Sequence, residues 1–194
     1  MTKDRSRKHE QMRERIAYLA ARLIAEDGLE DFAQAKRKAA QQIGAPDTKC
    51  MPNNSEIEKA LRTFQSLYQQ EEQPRALAEL RREAVSLMRL LEAFDPYLSG
   101  PVLTGTAGKY SEIELQIYRD SAKDLELFLI NNRIPYKPGE VRTASGPAPM
   151  FELGEGGIRA KLIVLPEGEL SSGGKFARAR RTRVEALLEE DTSD

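Results

Sequence analysis

The stretch Val102-Leu103-Thr104-Gly105-Thr106-Ala107-Gly108, followed after Lys109-Tyr110 by Ser111-Glu112-Ile113-Glu114-Leu115-Gln116-Ile117-Tyr118, carries the reading of the fold. From Ser111 to Tyr118, polar and apolar residues alternate without a break. Successive side chains of a strand point to opposite faces, so Glu112, Glu114 and Gln116 share one face while Ile113, Leu115 and Ile117 enter a core. Two carboxylates held two residues apart on a rigid strand can converge on a divalent cation, and Mg²⁺ takes one or two carboxylates plus substrate phosphates. Upstream, Gly105, Thr106 and Gly108 offer backbone N–H groups that phosphate oxygens can approach with little steric hindrance.

Outward from this strand, the run Met150-Phe151-Glu152-Leu153 and the run Ile158 to Leu165 flank Gly154-Glu155-Gly156-Gly157, which predicts a hairpin. Pro101 to Gly108 reads as β-rich, and Ser121 with Asp124 three residues on predicts a helix carrying Leu125, Phe128 and Leu129. Lys137 to Pro149 is rich in Pro, Gly and Ser and reads as an irregular connection. Beyond Pro166 the chain loosens into a charged tail, helical in part at most.

The first half reads as helical. Met12, Ile16, Leu19 and Leu23 recur three and four residues apart on a helix ending near Gly28, and a second helix runs from about Asp31 to Ile43, before Pro46. Asn53, Asn54 and Ser55 offer caps for a third helix carrying Ile57, Leu61, Phe64 and Tyr68. A fourth begins at Pro74, with Leu77, Leu80, Ala84, Leu87, Leu91 and Phe94 on one stripe. These patterns predict an α+β chain: an N-terminal helical bundle (1–95) packed on a small mixed sheet (96–170), then a charged tail (171–194).

Composition narrows the chemistry. The chain has 194 residues, 40% hydrophobic and 31% charged, with a formal net charge of −1. That balance suits a soluble chain with a core, and it provides no global attraction to nucleic acid or to an anionic membrane. One cysteine, Cys50, and one histidine, His9, exclude an intramolecular disulfide and a zinc site built from three or four Cys or His ligands. With no apolar leader and no stretch of spanning length, the chain reads as cytoplasmic.

The Gly105-Thr106 turn, Ser111 and the Glu112-x-Glu114 strand resemble the core of polymerase-beta-type nucleotidyltransferases. Those enzymes carry a Gly-Ser or Gly-Gly turn, then an acidic-x-acidic strand, then a helix and further strands. The stretch Gly105 to Leu129 is also similar to a group of small bacterial nucleotidyltransferase-like proteins, as is Ala25 to Gly44. The resemblance implies transfer of a nucleoside monophosphate from an NTP, with Glu112 and Glu114 holding Mg²⁺, Gly105, Thr106 and Gly108 contacting the nucleotide, and Glu152 completing the acidic set. This chain departs from the family in using glutamates where aspartates dominate, and only residues 107–111 separate the turn from the acidic pair. The implied site is degenerate.

A reading from another class is an inactive scaffold that binds nucleic acid or regulates a partner. It draws on Lys3, Arg5, Arg7 and Lys8, on Lys36, Arg37 and Lys38, and on Arg178, Arg180, Arg181 and Arg183. The N-terminal helices also bear a loose similarity to tetracycline-repressor DNA-binding domains. A third reading, an ATP-dependent ligase, is poorly served by Ser171-Ser172-Gly173-Gly174-Lys175-Phe176, which lacks the Ser or Thr that a Walker loop needs after its lysine.

Overall fold

A computed structural model describes residues 2–29, 31–45, 49–143, 146–154, 159–171 and 177–191, with the backbone alone for 2–6 and 171. Pro46, the Gly156-Gly157 turn and Gly173-Gly174-Lys175 lie outside the described residues. The fold is α+β, and the chain divides into two compact units, Met1–Gln73 and Pro74–Asp194.

The first unit is made of α1 (Thr2–Asp27), α2 (Phe32–Gln42) and α3 (Asn54–Tyr68). Its core gathers Ile16, Ala17, Ala20 and Leu23 of α1 with Ala35, Ala39 and Ala40 of α2 and Ile57 of α3. Alanines dominate, so these helices gain burial by close backbone approach more than by bulk. Asp31 caps α2 by accepting from Ala33 N at 2.7 Å. Asn53 and Glu56 form a reciprocal capping box on α3, at 2.8 and 2.7 Å. Tyr68, expected on the buried stripe, is 65% exposed, because its helix ends there.

The second unit begins within α4 (Glu72–Leu90). Leu77, Ala84, Val85 and Met88 of α4 pack into the same core as the sheet. Five strands follow: β1 (Tyr97–Ser99), β2 (Ile113–Tyr118), β3 (Lys137–Thr143), β4 (Gly146–Leu153) and β5 (Ala160–Leu165), in the spatial order β1-β2-β5-β4-β3. Only the β2–β5 pair is parallel, so the sheet is mixed. Ile113, Leu115 and Ile117 of β2, Leu162 and Val164 of β5 and Phe151 of β4 form its core face, met by α4, α6 (Lys123–Asn131) and α8 (Arg181–Asp191). The opposite face carries a smaller cluster, Tyr97, Tyr118, Ala148, Met150, Ile163 and Leu165.

Two expectations are corrected. The run Pro101 to Gly108 is not a strand: it forms α5 (Gly100–Thr104) and a turn, with proline in the first turn and Gly105 closing the helix at φ +84°. Proline there loses no helical hydrogen bond, and glycine adopts the left-handed cap without strain. The run Lys137 to Pro149 is not irregular: much of it is β3 and β4, paired antiparallel from Lys137↔Glu152 to Thr143↔Gly146. Pro147 and Pro149 fit because β4 meets β5 only from Met150 onward, which leaves their missing N–H groups no β5 ladder to break. The expected β4–β5 hairpin is present, with Met150↔Ile163 in register.

The tail also orders more than its composition suggested. Leu98 and Ala179 exchange two backbone hydrogen bonds, of 2.8 and 2.9 Å, so the chain returns to cover the free edge of β1. Past a short helix, α7 (Glu167–Ser171), and this return, α8 docks Val184 and Leu188 on the core.

Removing the α3 cap by Asn53→Ala should cost about 1 kcal/mol, read as a lowered urea midpoint. Glu185 of α8 accepts from Arg89 at 2.8 Å and Arg181 at 3.1 Å, and these bonds, Arg89 first, hold its carboxyl below the usual glutamate range. A depressed carboxylate contributes stability above its unfolded pKa and loses it as pH falls through the folded value. Acidification below the ordinary glutamate range should therefore loosen α8 in the wild type. The effect should be smaller in Glu185→Gln, measured by hydrogen exchange.

Candidate functional site

The site is built by sheet register. Ser99 of β1 pairs with Glu114 of β2, Glu114 with Lys161 of β5, Lys161 with Glu152 of β4, and Glu152 with Lys137 of β3. Paired residues project to the same face, so one row crosses the whole sheet as Ser, Glu, Lys, Glu, Lys. It lies on the face opposite α4, α6 and α8, beside the Tyr97–Met150 cluster. Apolar neighbours along each strand fix this orientation: turning Lys161 inward would turn Ala160 and Leu162 outward.

Glu112 stands one residue before β2 and shares the face of Glu114. Its side chain is 14% exposed, with Oε1 at 3.3 Å from Arg159 and Oε2 at 2.5 Å from the Lys161 ammonium. The Lys161 contact is an ion pair without an aligned hydrogen bond. Glu152 is exposed, on the far side of Lys161 from Glu114. The structure thus brings Glu112 and Glu114 to one face and sets a lysine, not a carboxylate, on the strand between them and Glu152. Among the described residues no group of three or more His, Cys, Asp or Glu side chains is placed to hold a metal ion. A dication about 4 Å from a fixed ammonium at an effective dielectric near 20 meets a repulsion of about 8 kcal/mol. Lys161 thus offsets part of the attraction that Glu112 and Glu114 offer a metal ion, and it already holds the Glu112 carboxylate.

The turn tells a similar story. The N–H groups of Gly105, Thr106 and Ala107 all point at the carbonyl of Pro101, at 2.9, 3.0 and 3.1 Å, and Gly108 N donates to Ser111 Oγ at 3.1 Å. Thr106 is buried, with its hydroxyl 3.2 Å from that of Thr104. The donors of Gly105, Thr106 and Gly108 are thus turned into the loop. The glycine that meets the acidic pair is Gly100, where β1 passes into α5 at φ +69°. A Cβ placed there would lie 2.6 Å from Glu114 Oε2. Residues 101–111 separate Gly100 from Glu112, a longer interval than the one from Gly105.

A cleft of about 340 Å³ opens beside Glu112, lined by Tyr136, Lys137, Glu152, Leu153 and Arg159 among others. Tyr136 donates to Glu126 at 2.9 Å, and burial followed by that bond raises its phenol above the ordinary value, so it stays neutral. The C-terminal basic run is committed elsewhere. Arg178 donates to Tyr118 Oη and to the Leu170 carbonyl, and Arg180 pairs with Asp95. Arg181 pairs with Glu92 and Glu185, and Arg183 with Glu190. On α2, Lys36 donates to Asn54 and Lys38 pairs with Asp27. Cys50 is buried.

No family model matches the chain. No curated protein matches it significantly. Among solved structures it is similar to the Cid1 poly(U) polymerase with MgGTP bound, at 19% identity over 45% of this chain and 32% of that one, with a TM-score of 0.33. Cid1 in complex with its short product ApU is similar at 16% identity over 50% and 32%, TM-score 0.33. A third Cid1 structure, described for its RNA terminal uridylyl transferase activity, is similar at 17% over 55% and 36%, TM-score 0.32. The chain thus corresponds to about a third of the length of these nucleotidyltransferases. No helix among the described residues is long and apolar enough to cross a membrane.

Gly100→Ala should destabilise the protein beyond the roughly 1–2 kcal/mol of a left-handed alanine. Gly44→Ala, at φ +72° with open space around it, isolates the backbone cost alone. Equal midpoints for the two variants would contradict the close approach of Gly100 to Glu114.

Proposed function

We propose that the chain is a nucleotidyltransferase-like protein that binds a nucleotide without metal-dependent transfer. The observation that carries this reading is Lys161, set in register between Glu114 and Glu152 with its ammonium 2.5 Å from Glu112. The order glycine turn, acidic-x-acidic strand, helix and further strands supports the scaffold, with Gly100 taking the place first given to Gly105. In this reading Lys161 supplies the positive charge that a metal ion supplies in an active transferase. Lys137 and the half-exposed Arg159 extend that charge into the cleft, whose Tyr136 and Leu153 wall suits a flat apolar ring. The chemistry is recognition: an ammonium and a guanidinium make charge-assisted hydrogen bonds to phosphate oxygens.

The internal pairing of Arg178, Arg180, Arg181 and Arg183 favours a small phosphorylated ligand over a nucleic-acid backbone, which needs several uncommitted cations.

Calorimetry with an NTP, in EDTA and in excess Mg²⁺, tests the reading on wild type, Lys161→Ala and Glu114→Gln. Binding should occur without Mg²⁺ and weaken about tenfold or more in Lys161→Ala. Binding that requires Mg²⁺ and is lost in Glu114→Gln, or release of pyrophosphate on turnover, would overturn it in favour of transfer through Glu112 and Glu114, with or without Glu152. Absence of NTP binding under both conditions would remove the nucleotide altogether.

A further inference from the structure

Arg81 is the most deeply placed charge among the described residues of the second unit. It rises from α4 with its side chain 5% exposed, in a core otherwise filled by Leu77, Ala84, Val85 and Met88. Burying a guanidinium is costly unless its N–H groups find acceptors. Three acceptors meet it: the carbonyl of Val102 at 3.1 Å, that of Leu103 at 3.3 Å, and Asp191 Oδ2 at 2.6 Å.

These acceptors belong to two elements far apart in sequence. Val102 and Leu103 supply carbonyls in the last turn of α5, where a helix leaves them without internal partners and a cation is favourable. Asp191 ends α8 and, among the described residues, is the carboxylate that pairs with Arg81. At its other end α5 begins with Gly100, whose backbone lies against the Glu114 carboxylate. A single side chain therefore joins the last residue of α8 to the short helix that seats Glu114.

The docking of α8 is itself strongly electrostatic. Val184 is its one fully buried residue, with Leu188 packed at the edge of the core. Around them, Arg89 of α4 reaches Glu185, Glu92 reaches Arg181, and Asp95 reaches Arg180 just before the helix. These pairs are largely exposed and weaken as salt rises, whereas the Arg81–Asp191 contact is shielded.

We propose that Arg81 is a positioning residue that couples the docking of α8 to the placement of α5 and Glu114, so that α8 acts as a salt-sensitive strap on the acidic site. With α8 docked, Asp191 balances the buried guanidinium and Arg81 stays on the α5 carbonyls. With α8 released, Arg81 loses its countercharge and turns toward solvent, which frees Val102 and Leu103 and lets Gly100 leave Glu114. The consequence for ligand binding rests on the nucleotide reading of the site, but the coupling does not and is read without any ligand.

Hydrogen exchange on the full chain tests the coupling. The reporters are the amides of Gly105, Thr106 and Ala107, which close α5 on Pro101, and the α8 amides. Exchange in both sets should rise together as NaCl is increased, and by about tenfold or more in Asp191→Asn, while the β2 and β5 amides stay protected. Asp191→Glu should restore much of the protection. The ¹³C shift of the Glu114 carboxyl at constant pH should move in Asp191→Asn and return in Asp191→Glu. Exchange that rises in α8 while α5 and Glu114 stay unchanged would overturn the proposal. So would equal effects of the Asn and Glu variants, which would mark Asp191 as a packing residue. Arg81→Leu is a harsher variant, and because Asp191→Asn leaves the core intact the test does not depend on it.

Discussion

The register of β5 is the constraint on which the polar face depends. β5 runs parallel to β2 and antiparallel to β4, and its alternation sends Ala160, Leu162 and Val164 into the core and Lys161 to the other side. A slip of one residue would expose Leu162, at about 1.5–3 kcal/mol for a side chain of that size, and would bury an ammonium among leucines. The apolar pattern therefore locks Lys161 opposite Glu114 on one side and Glu152 on the other.

The placement has a chemical consequence. A strand carrying Glu112 and Glu114 is a plausible metal platform in isolation, because two carboxylates on one face repel each other until a cation joins them. Here Lys161 and Arg159 supply the cations from the neighbouring strand. Charge balance at Glu112 is reached with the chain's own residues, and Arg159, with Lys137, also lines a cleft large enough for a small ligand. The C-terminal arginines tell the opposite story: their charges are spent on holding the returning chain and α8 in place.

Local signals were legible in the sequence, and long-range ones were not. The β2 alternation, the α3 cap and the helical stripes depend on residues a few positions apart, and they appear where the pattern places them, apart from Tyr68 at the end of α3. The Gly105-Thr106-Ala107-Gly108 string drew attention because it holds two glycines, yet its N–H groups close a turn on Pro101. Gly100 carries no such local signal, because the run after it reads as β-rich whereas Gly100 and Pro101 open a short helix. Lys161 lies in a hairpin strand whose local pattern says nothing of Glu112 or Glu114. That β5 would pair parallel to β2 depends on a crossover through α6, β3 and β4, for which no local spacing exists. Arg81 was likewise one more charge on an amphipathic helix, since its acceptors lie at residues 102, 103 and 191.

In the proposed reading Lys161 stands where a metal ion would. The most direct test is a crystal structure grown with a non-hydrolysable NTP and excess Mg²⁺. Phosphate oxygens should lie against Lys161 and Arg159, with Lys161 still within ion-pair distance of Glu112 and no metal shared by Glu112 and Glu114. A Mg²⁺ ion ligated by both glutamates, with Lys161 swung away, would contradict it.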